Sequence, residues 1–369
     1  MEALAKSNAQ FVIESGAGAS AGFADSEYQQ KGARIAGDRA EVFAASDVIL
    51  QVRTAGANPE AGRADLRWLR PGQVVIGFGE PLSAGAEYVG IAGRGVSSFA
   101  MELIPRITRA QSMDALSSMA TIAGYKAVIL AAETLPRMFP MLMTAAGTIS
   151  PARVFVLGAG VAGLQAIATA RRLGAVVEAY DVRSAVREQI QSLGAKFVAV
   201  ELDTAQAEEK GGYARALGED FYRRQREVLT EVMAQQDVVI ATAAVPGKKA
   251  PILITRDMVA GMSAGSVVVD LAAERGGNCE LTQAGRTIVE SAVTIMGPLN
   301  LPSTVPYHAS QMYSRNVAAL VRHLIADGSL AIRLEDEIIR ETLVTHGGEV
   351  VHPRVRELLQ QPAGGGKGD

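Results

Sequence analysis

Two kinds of periodicity alternate along the chain. Short apolar runs, FVIESG (11–16), DVILQV (47–52), QVVIGF (73–78) and SSFAMEL (97–103), are separated by the amphipathic stretches 25–33, 38–45, 60–68 and 84–93. Runs of this length predict buried strands, and strands alternating with helices predict a parallel sheet covered by helices. From 113 to about 135 the period turns helical. Leu116, Ala120, Ala123, Ala127 and Leu130 mark one seam, and its small residues allow close packing. The helix stops ahead of Pro140.

A more regular series follows. RVFVLGA, VVEAYDVR, KFVAVE, DVVIATAAV, GSVVVDLA and VTIMG read as six strands. VAGLQAIATARRLG and SAVREQIQSLGA read as helices closed by glycine, and EDFYRRQREVLTEVMAQQ as the helix before DVVIATA. This order predicts the doubly wound dinucleotide fold. A second long helix is predicted from about Ala309 to Ala326, then a hairpin in EIIRETLVTHGGEVVH turning at His346-Gly347-Gly348, and a mobile tail QQPAGGGKGD. Two long helices flanking a nucleotide domain carry the chain out of one domain and back. The first domain is therefore placed at 1–125 plus 315–369, with the second, 126–314, inserted.

Composition narrows the function classes. The 369 residues are 48% hydrophobic and 20% charged, with net charge −3 and no dense basic run. Nucleic acid is thus not an expected partner. The single cysteine, Cys279, excludes an internal disulfide framework and fits a reducing compartment. After Met1 no cationic stub leads into an apolar block, so no signal peptide is expected. No apolar run approaches the ~20 residues that span a bilayer; AVILAA (127–132) is among the longest. A soluble protein is expected, one that can still dock on a membrane partner.

Gly158, Gly160 and Gly163 form G-x-G-x-x-G between an apolar strand and an alanine-rich helix. The first glycine makes the turn, the second lets the backbone approach a pyrophosphate, and the third lets helix and strand pack. The helix N-terminus then offers N–H groups to phosphate. Asp181 ends the next strand at about the ~20-residue distance of a ribose-binding carboxylate. It favours NAD(H) over NADP(H), a preference that Arg183 softens. The loop AAVPGKKAP (243–251) leaves the fourth strand at the ligand end of such a sheet, bringing Ala243 to Val245 near the nicotinamide half; its bland reading is a plain turn. LDTAQAEEKGGYARALGED (202–220) is long enough to be a lid hinged at Gly211-Gly212 and latched by Tyr213, or a solvated insertion.

MELIPRITRAQSMDALSS (101–118) sets Arg106, Gln111 and Asp114 in and just after a proline-stiffened turn. Read blandly, this is a loop-to-helix junction with Asp114 as a first-turn charge and Arg106 in a surface ion pair. The four histidines, His308, His323, His346 and His352, all follow the nucleotide domain and read as structural or surface residues. No metal-ligating set is read.

PRITRAQSMDALSSMATIAGYKAV, VLGAGVAGLQAIATARRLGA, VIATAAVPGKKAPILIT and DLAAERGGNCELT closely resemble the proton-translocating nicotinamide nucleotide transhydrogenases, in the soluble NAD(H)-binding domain I of the alpha subunit. The resemblance covers nearly the whole chain and places it in the alanine dehydrogenase/transhydrogenase superfamily. It implies an α/β fold of two Rossmann-like doubly wound domains linked by two long helices, with the cofactor in the interdomain cleft. Arg106, Gln111 and Asp114 would act at the nicotinamide and its ribose, with Ser112, Met113 and Ser117 close by. Gly158, Gly160, Val161, Gly163, Asp181, Val182 and Arg183 would bind the adenosine and pyrophosphate side. Gly212 and Tyr213 would belong to the mobile loop, and Gln225 and Val245 would line the cleft. The cofactor would be NAD(H), with NADP(H) bound by a partner domain. The partners implied are a membrane subunit, an NADP(H)-binding beta subunit and a second copy in a homodimer. They would hold the chain at the cytoplasmic face of the inner membrane. Relatives open with an extra strand and a segment of the type PGERRVAL, whereas this chain starts about one strand later. Because no membrane segment follows 369, it looks like the separately encoded soluble alpha polypeptide.

Oxidising an alcohol or amine with NAD moves a hydride and a proton, and so needs an acid/base near the reacting carbon. Alanine dehydrogenases place a lysine and a histidine in the first-domain strands; QVRTAGAN and VVIGFGE show Arg53 and no histidine. Hydride transfer between two nicotinamides needs only positioning and exclusion of water. The transhydrogenase reading therefore leads. An alanine dehydrogenase-like amino-acid dehydrogenase is the enzyme alternative, and an NAD-sensing or structural subunit the non-enzyme one.

Overall fold

The computed structural model describes residues 1–58, 60–200, 208–209, 213–214, 219–244 and 249–360. Two units separate by their internal contacts: Met1–Met119 with Val305–Asp369, and Ala120–Thr304. The second division falls ahead of helix Pro306–His323 rather than inside it at 314/315. The apolar face of that helix, Tyr313, Val317, Leu320 and Val321, belongs whole to the core of the first unit.

The first unit is built on a five-stranded sheet ordered Glu349–Val350, Leu343–His346, Ser97–Ala100, Val74–Phe78, Val48–Arg53. The last three run parallel, and Leu343–His346 is antiparallel to Ser97–Ala100. All of Ser97–Ala100 and the first four residues of Val74–Phe78 are buried, as expected of central strands covered on both faces. Two readings of the pattern need correction here. Val12–Glu14 pairs only with Arg34–Ala36, in a separate two-stranded sheet, and none of its residues is fully buried. Its run is too short to be covered on both faces, and Glu14 ends it in an ion pair with Arg39. The start of the expected hairpin is instead helix Glu337–Thr342. Asp336 caps it, Oδ1 accepting from Ile338 N at 2.8 Å, so the cap outweighs the β-branched pair Ile338-Ile339. The chain does turn at Gly347-Gly348, both at positive φ.

In the second unit we number the strands β1 (Arg153–Leu157), β2 (Val176–Tyr180), β3 (Lys196–Phe197), β4 (Val238–Ala241), β5 (Val267–Asp270), β6 (Thr287–Glu290) and β7 (Val293–Met296). They lie in the order β3-β2-β1-β4-β5-β7-β6. All pairs are parallel except the edge pair β6–β7; β6 is a seventh strand that the pattern did not predict. Strand period divides the sheet into two cores. Val154, Val156, Ile240 and Val269 face one side, and Phe155, Leu157, Val239 and Val268 the other. The order reverses between β1 and β4, the topological switch point where such sheets bind ligands.

Helix Ala115–Thr134 runs from the first unit into the second. Its core face is Gly124, Ala127, Val128 and Ala131, turned from the expected seam, with Ala123 and Leu130 only partly buried. At Gly124 a Cβ would lie 2.1 Å from the carbonyl oxygen of Ala162, so only glycine allows this approach. The helix has the length and mean hydropathy (1.4) of a membrane span, which no single apolar run of the sequence indicated. Ala127, Val128 and Ala131 are nonetheless fully buried in the core of the second unit.

Candidate functional site

The glycine turn closes β1. Gly158 has φ +95°, and a Cβ there would meet Thr242 Oγ1 at 2.7 Å. A Cβ on Gly163 would sit 1.9 Å from the Gly158 carbonyl, whereas one on Gly160 would meet nothing within 4 Å. Two glycines are thus demanded by packing, and the middle one faces open space. Gly160 is also the N-cap of helix Val161–Arg172 and supplies no side-chain cap, so the first amides of that helix are left for a ligand. Val161 is exposed beside them. The turn therefore passes the fit test for a pyrophosphate: a cradle that added carbons would fill, open at the one position a phosphate must approach.

Asp181 follows β2 and is buried, 8% exposed. Its carboxylate accepts from Ala159 N at 2.7 Å and from Arg183 N, Nε and Nη2, each at 2.9 Å. The carboxylate thus ties the glycine turn to the end of β2, and the Arg183 guanidinium grips it with two donors. Val182 between them packs on the core. Gln225, on helix Glu219–Met233, is buried and donates to the Tyr180 phenol oxygen at 2.8 Å. Burial pushes that phenol up to about 12. Gln225 also lines a cavity of about 520 Å³ together with Tyr222, Arg226, Leu229, Ile252 and Leu253.

Three residues that the sequence pattern did not single out shape the same end of the sheet. The Thr242 hydroxyl, just past β4, lies 3.2 and 3.1 Å from the carbonyls of Leu157 and Gly158. Asn278, fully buried, accepts from Ala243 N at 3.0 Å and donates to the carbonyls of Ala243 and Pro251, both at 2.8 Å. It thereby holds together both ends of the 243–251 loop. Asp270, at the end of β5, accepts from Ala272 N, Asn278 N, Cys279 N and Thr282 Oγ1. The available signal was a polar residue ending an apolar strand, VIAT and VVVD. Val245 and Gly212 lie outside the described residues. Of the expected lid, only the antiparallel pair Glu208–Glu209 with Tyr213–Ala214 is described.

The 101–118 stretch belongs to the first unit. Thr108–Met113 is a 3-10 turn with Ala110 and Met113 buried in the core, so the Met113 side chain anchors the turn. Arg106, Gln111 and Ser112 are exposed. Asp114 caps the long helix, its carboxylate accepting from Ser117 N at 2.9 Å and Ser117 Oγ at 2.6 Å. Asn316 donates to the Ser112 carbonyl at 2.9 Å and pins the turn from helix Pro306–His323. The structure thus gathers Arg106, Gln111, Ser112, Asp114 and Ser117 on one unit, and Gly158, Gly160, Val161, Gly163, Asp181, Val182, Arg183 and Gln225 on the other. The histidines serve the first unit: His346 Nδ1 meets Ser97 Oγ at 2.9 Å, His323 lies 3.2 Å from Asp336, and burial lowers the pKa of His352.

A doubly wound sheet with a G-x-G-x-x-G turn at its switch point defines a protein of the dinucleotide-binding α/β class. Within that class, residues 1–123 match the N-terminal domain and residues 127–353 the C-terminal domain of the alanine dehydrogenase/PNT family, to which the chain belongs. It is 44% identical over 347 residues to the first of the polypeptides that make up the NAD(P) transhydrogenase subunit alpha of Rhodospirillum rubrum, covering 93% of this chain and 90% of that protein. The crystal structure of transhydrogenase from Sinorhizobium meliloti is similar with a TM-score of 0.85 and 46% identity, over 95% of this chain and 93% of that one. Alanine dehydrogenase of Halomonas elongata is 28% identical over 355 residues, 94% of this chain and 88% of that protein.

Proposed function

We propose that the chain is the NAD(H)-binding subunit of a proton-translocating transhydrogenase. In this reading a hydride passes directly between NAD(H) held here and NADP(H) held by a partner domain. The observation that carries the reading lies at the carboxyl ends of the three parallel strands of the first unit. The residues there include Arg53, Glu80, Glu102 and Arg106, with neither histidine nor lysine among RTAGAN, GEPLSA and MELIPR. A dehydrogenase acting on an amine or alcohol needs an acid/base at its reacting carbon; transfer between two nicotinamides moves no proton between substrates. The identity to the Rhodospirillum rubrum transhydrogenase subunit, 44% against 28% for the alanine dehydrogenase, supports the same choice.

The nicotinamide cofactor would supply the hydride; the chain's residues bind and orient it. The glycine turn and helix Val161–Arg172 would hold the pyrophosphate, Asp181 the adenosine ribose, and Gln225, Val245 and the Gly212–Tyr213 segment would flank the cofactor. Arg106 and Gln111 would donate to the nicotinamide carboxamide and ribose. Asp114 fixes their turn through its cap on Ser117, and Ser112, Met113 and Ser117 complete that wall. A membrane subunit and an NADP(H)-binding subunit would complete the complex and hold the chain at the cytoplasmic face of the inner membrane. A homodimer is supported by the hairpin of Leu142–Thr144 and Gly147–Ile149, where Met138, Met141, Met143 and Ile149 stand exposed.

The test mixes the purified chain with an NADP(H)-binding transhydrogenase domain and follows oxidation of NADH against reduction of an NADP analogue. Transfer that needs both proteins, with the chain alone inert toward pyruvate and ammonium, is the expected result. Turnover of pyruvate by the chain alone would establish the alanine dehydrogenase alternative. Tight NADH binding without transfer would establish an NAD-sensing one.

A further inference from the structure

Glu102 takes no part in the nucleotide site. It sits in the 3-10 turn Met101–Leu103, at the carboxyl end of strand Ser97–Ala100 and four residues ahead of Arg106. Its Oε1 accepts from Gly79 N at 2.8 Å and Glu80 N at 2.5 Å, the turn that leaves the neighbouring strand Val74–Phe78. Its Oε2 is sealed from solvent and has no hydrogen-bond partner among the described residues.

The surroundings offer this carboxyl little compensation. Glu80, on the turn it binds, is a second carboxylate. Tyr88 from helix Gly85–Gly93 and Tyr313 from helix Pro306–His323 both feel its charge, and burial raises both phenols far above their usual range, so each stays neutral. Helix Glu337–Thr342 turns Ile338 and Ile339 inward and leaves Glu337, Arg340 and Glu341 exposed. A carboxylate charge with one unmatched, sealed oxygen is costly, whereas a neutral acid with two amides on Oε1 is not. Burial accordingly pushes Glu102 up to about 7.

We propose that Glu102 is a positioning residue for the 105–114 stretch, holding it in register with the 79–80 turn as a neutral acid and loosening it on ionisation. The connection is short: Ile104 is buried in the core, and Pro105 fixes the backbone that delivers Arg106. The proposal rests on the reading that Arg106 and Gln111 contact the nicotinamide.

The experiment measures NADH affinity of the whole chain, by fluorescence, between about pH 6 and about pH 8.5, for wild type and Glu102→Gln. Glutamine keeps the acceptor for both amides and carries no charge. Wild-type affinity should fall about threefold or more across that range, while Glu102→Gln stays level at the low-pH value. The histidines of the unit titrate in the same window, so the difference between the two proteins decides the matter. A parallel profile in both proteins would overturn the proposal, as would a Glu102 carboxyl carbon that titrates near the ordinary glutamate value by NMR. If neither protein binds NADH while Glu102 still titrates near neutrality, the nicotinamide reading has failed and the proposal falls with it. If NADH binds but the carboxyl titrates normally, only the Glu102 proposal fails. Thermal unfolding confirms that the variant is folded.

Discussion

Replacing Arg183 with alanine should strengthen NADH binding, although Arg183 lies at the cofactor end of the sheet. The Asp181 carboxylate accepts four hydrogen bonds, two from the Arg183 side chain and two from backbone amides. A ribose diol can reach that carboxylate only by displacing the guanidinium. The pair is well enclosed, with side chains 14% and 7% exposed, so its hydrogen bonds are not idle surface contacts. Charge-assisted hydrogen bonds contribute about 1.5–3 kcal/mol each, but the released guanidinium is rehydrated, leaving a net displacement cost on the order of 1 kcal/mol. Removing the competitor should therefore lower the NADH dissociation constant roughly fivefold to tenfold. The two amides remain, so Asp181 stays satisfied. A bared carboxylate repels a 2′-phosphate, so NADPH should bind no better or worse. Titration calorimetry of both nucleotides against wild type and Arg183→Ala measures this directly. Weaker NADH binding in the variant would refute the argument and show that Arg183 holds the cofactor rather than competing with it.

Other outcomes follow from the same geometry. Gly163→Ala places a carbon 1.9 Å from a backbone carbonyl, so it should destabilise the second unit by about 1–3 kcal/mol and abolish NADH binding. Gly160→Ala, with open space around it, should leave the melting temperature unchanged and still weaken NADH; equal behaviour of the two variants would contradict the assigned roles. Asn278→Ala leaves the Ala243 and Pro251 carbonyls without their donor, and should cost about 2–3 kcal/mol in chemical denaturation together with nucleotide affinity. Because Glu102 is raised above its unfolded value, the folded state holds its proton longer, and stability falls as pH rises from about 4.5 to about 7. Glu102→Gln should therefore be more stable than wild type above neutrality, by roughly 3 kcal/mol at most, and no more stable in acid.

Most of the second unit was legible because its signals are local. β1 reads as unbroken apolar sequence ending in glycines, and Asp181 stands at the end of the next strand. The first unit was harder. FVIESG and SSFAMEL look alike, but only the second finds neighbours on both sides, which depends on pairing with Leu343–His346, more than two hundred residues on. Glu337–Thr342 became a helix through one aspartate cap that the β-branched pattern hid. At the site, Arg106, Gln111 and Asp114 were visible as residue types, but the bond from Asp114 to Ser117 and the anchoring of Met113 were not. Asn278 escaped notice because its role lies in bridging Ala243 and Pro251, which are brought together only by the fold.

The claim that no proton donor is needed, because hydride passes directly from one nicotinamide to another, is tested most directly with NADH carrying deuterium at C4. The label is followed into the NADP pool when this chain is mixed with an NADP(H)-binding domain in ordinary water. The account predicts full retention of deuterium in the reduced acceptor, with transfer dependent on both proteins. Loss of the label to solvent, or its appearance in an amino acid made by this chain alone, would contradict it.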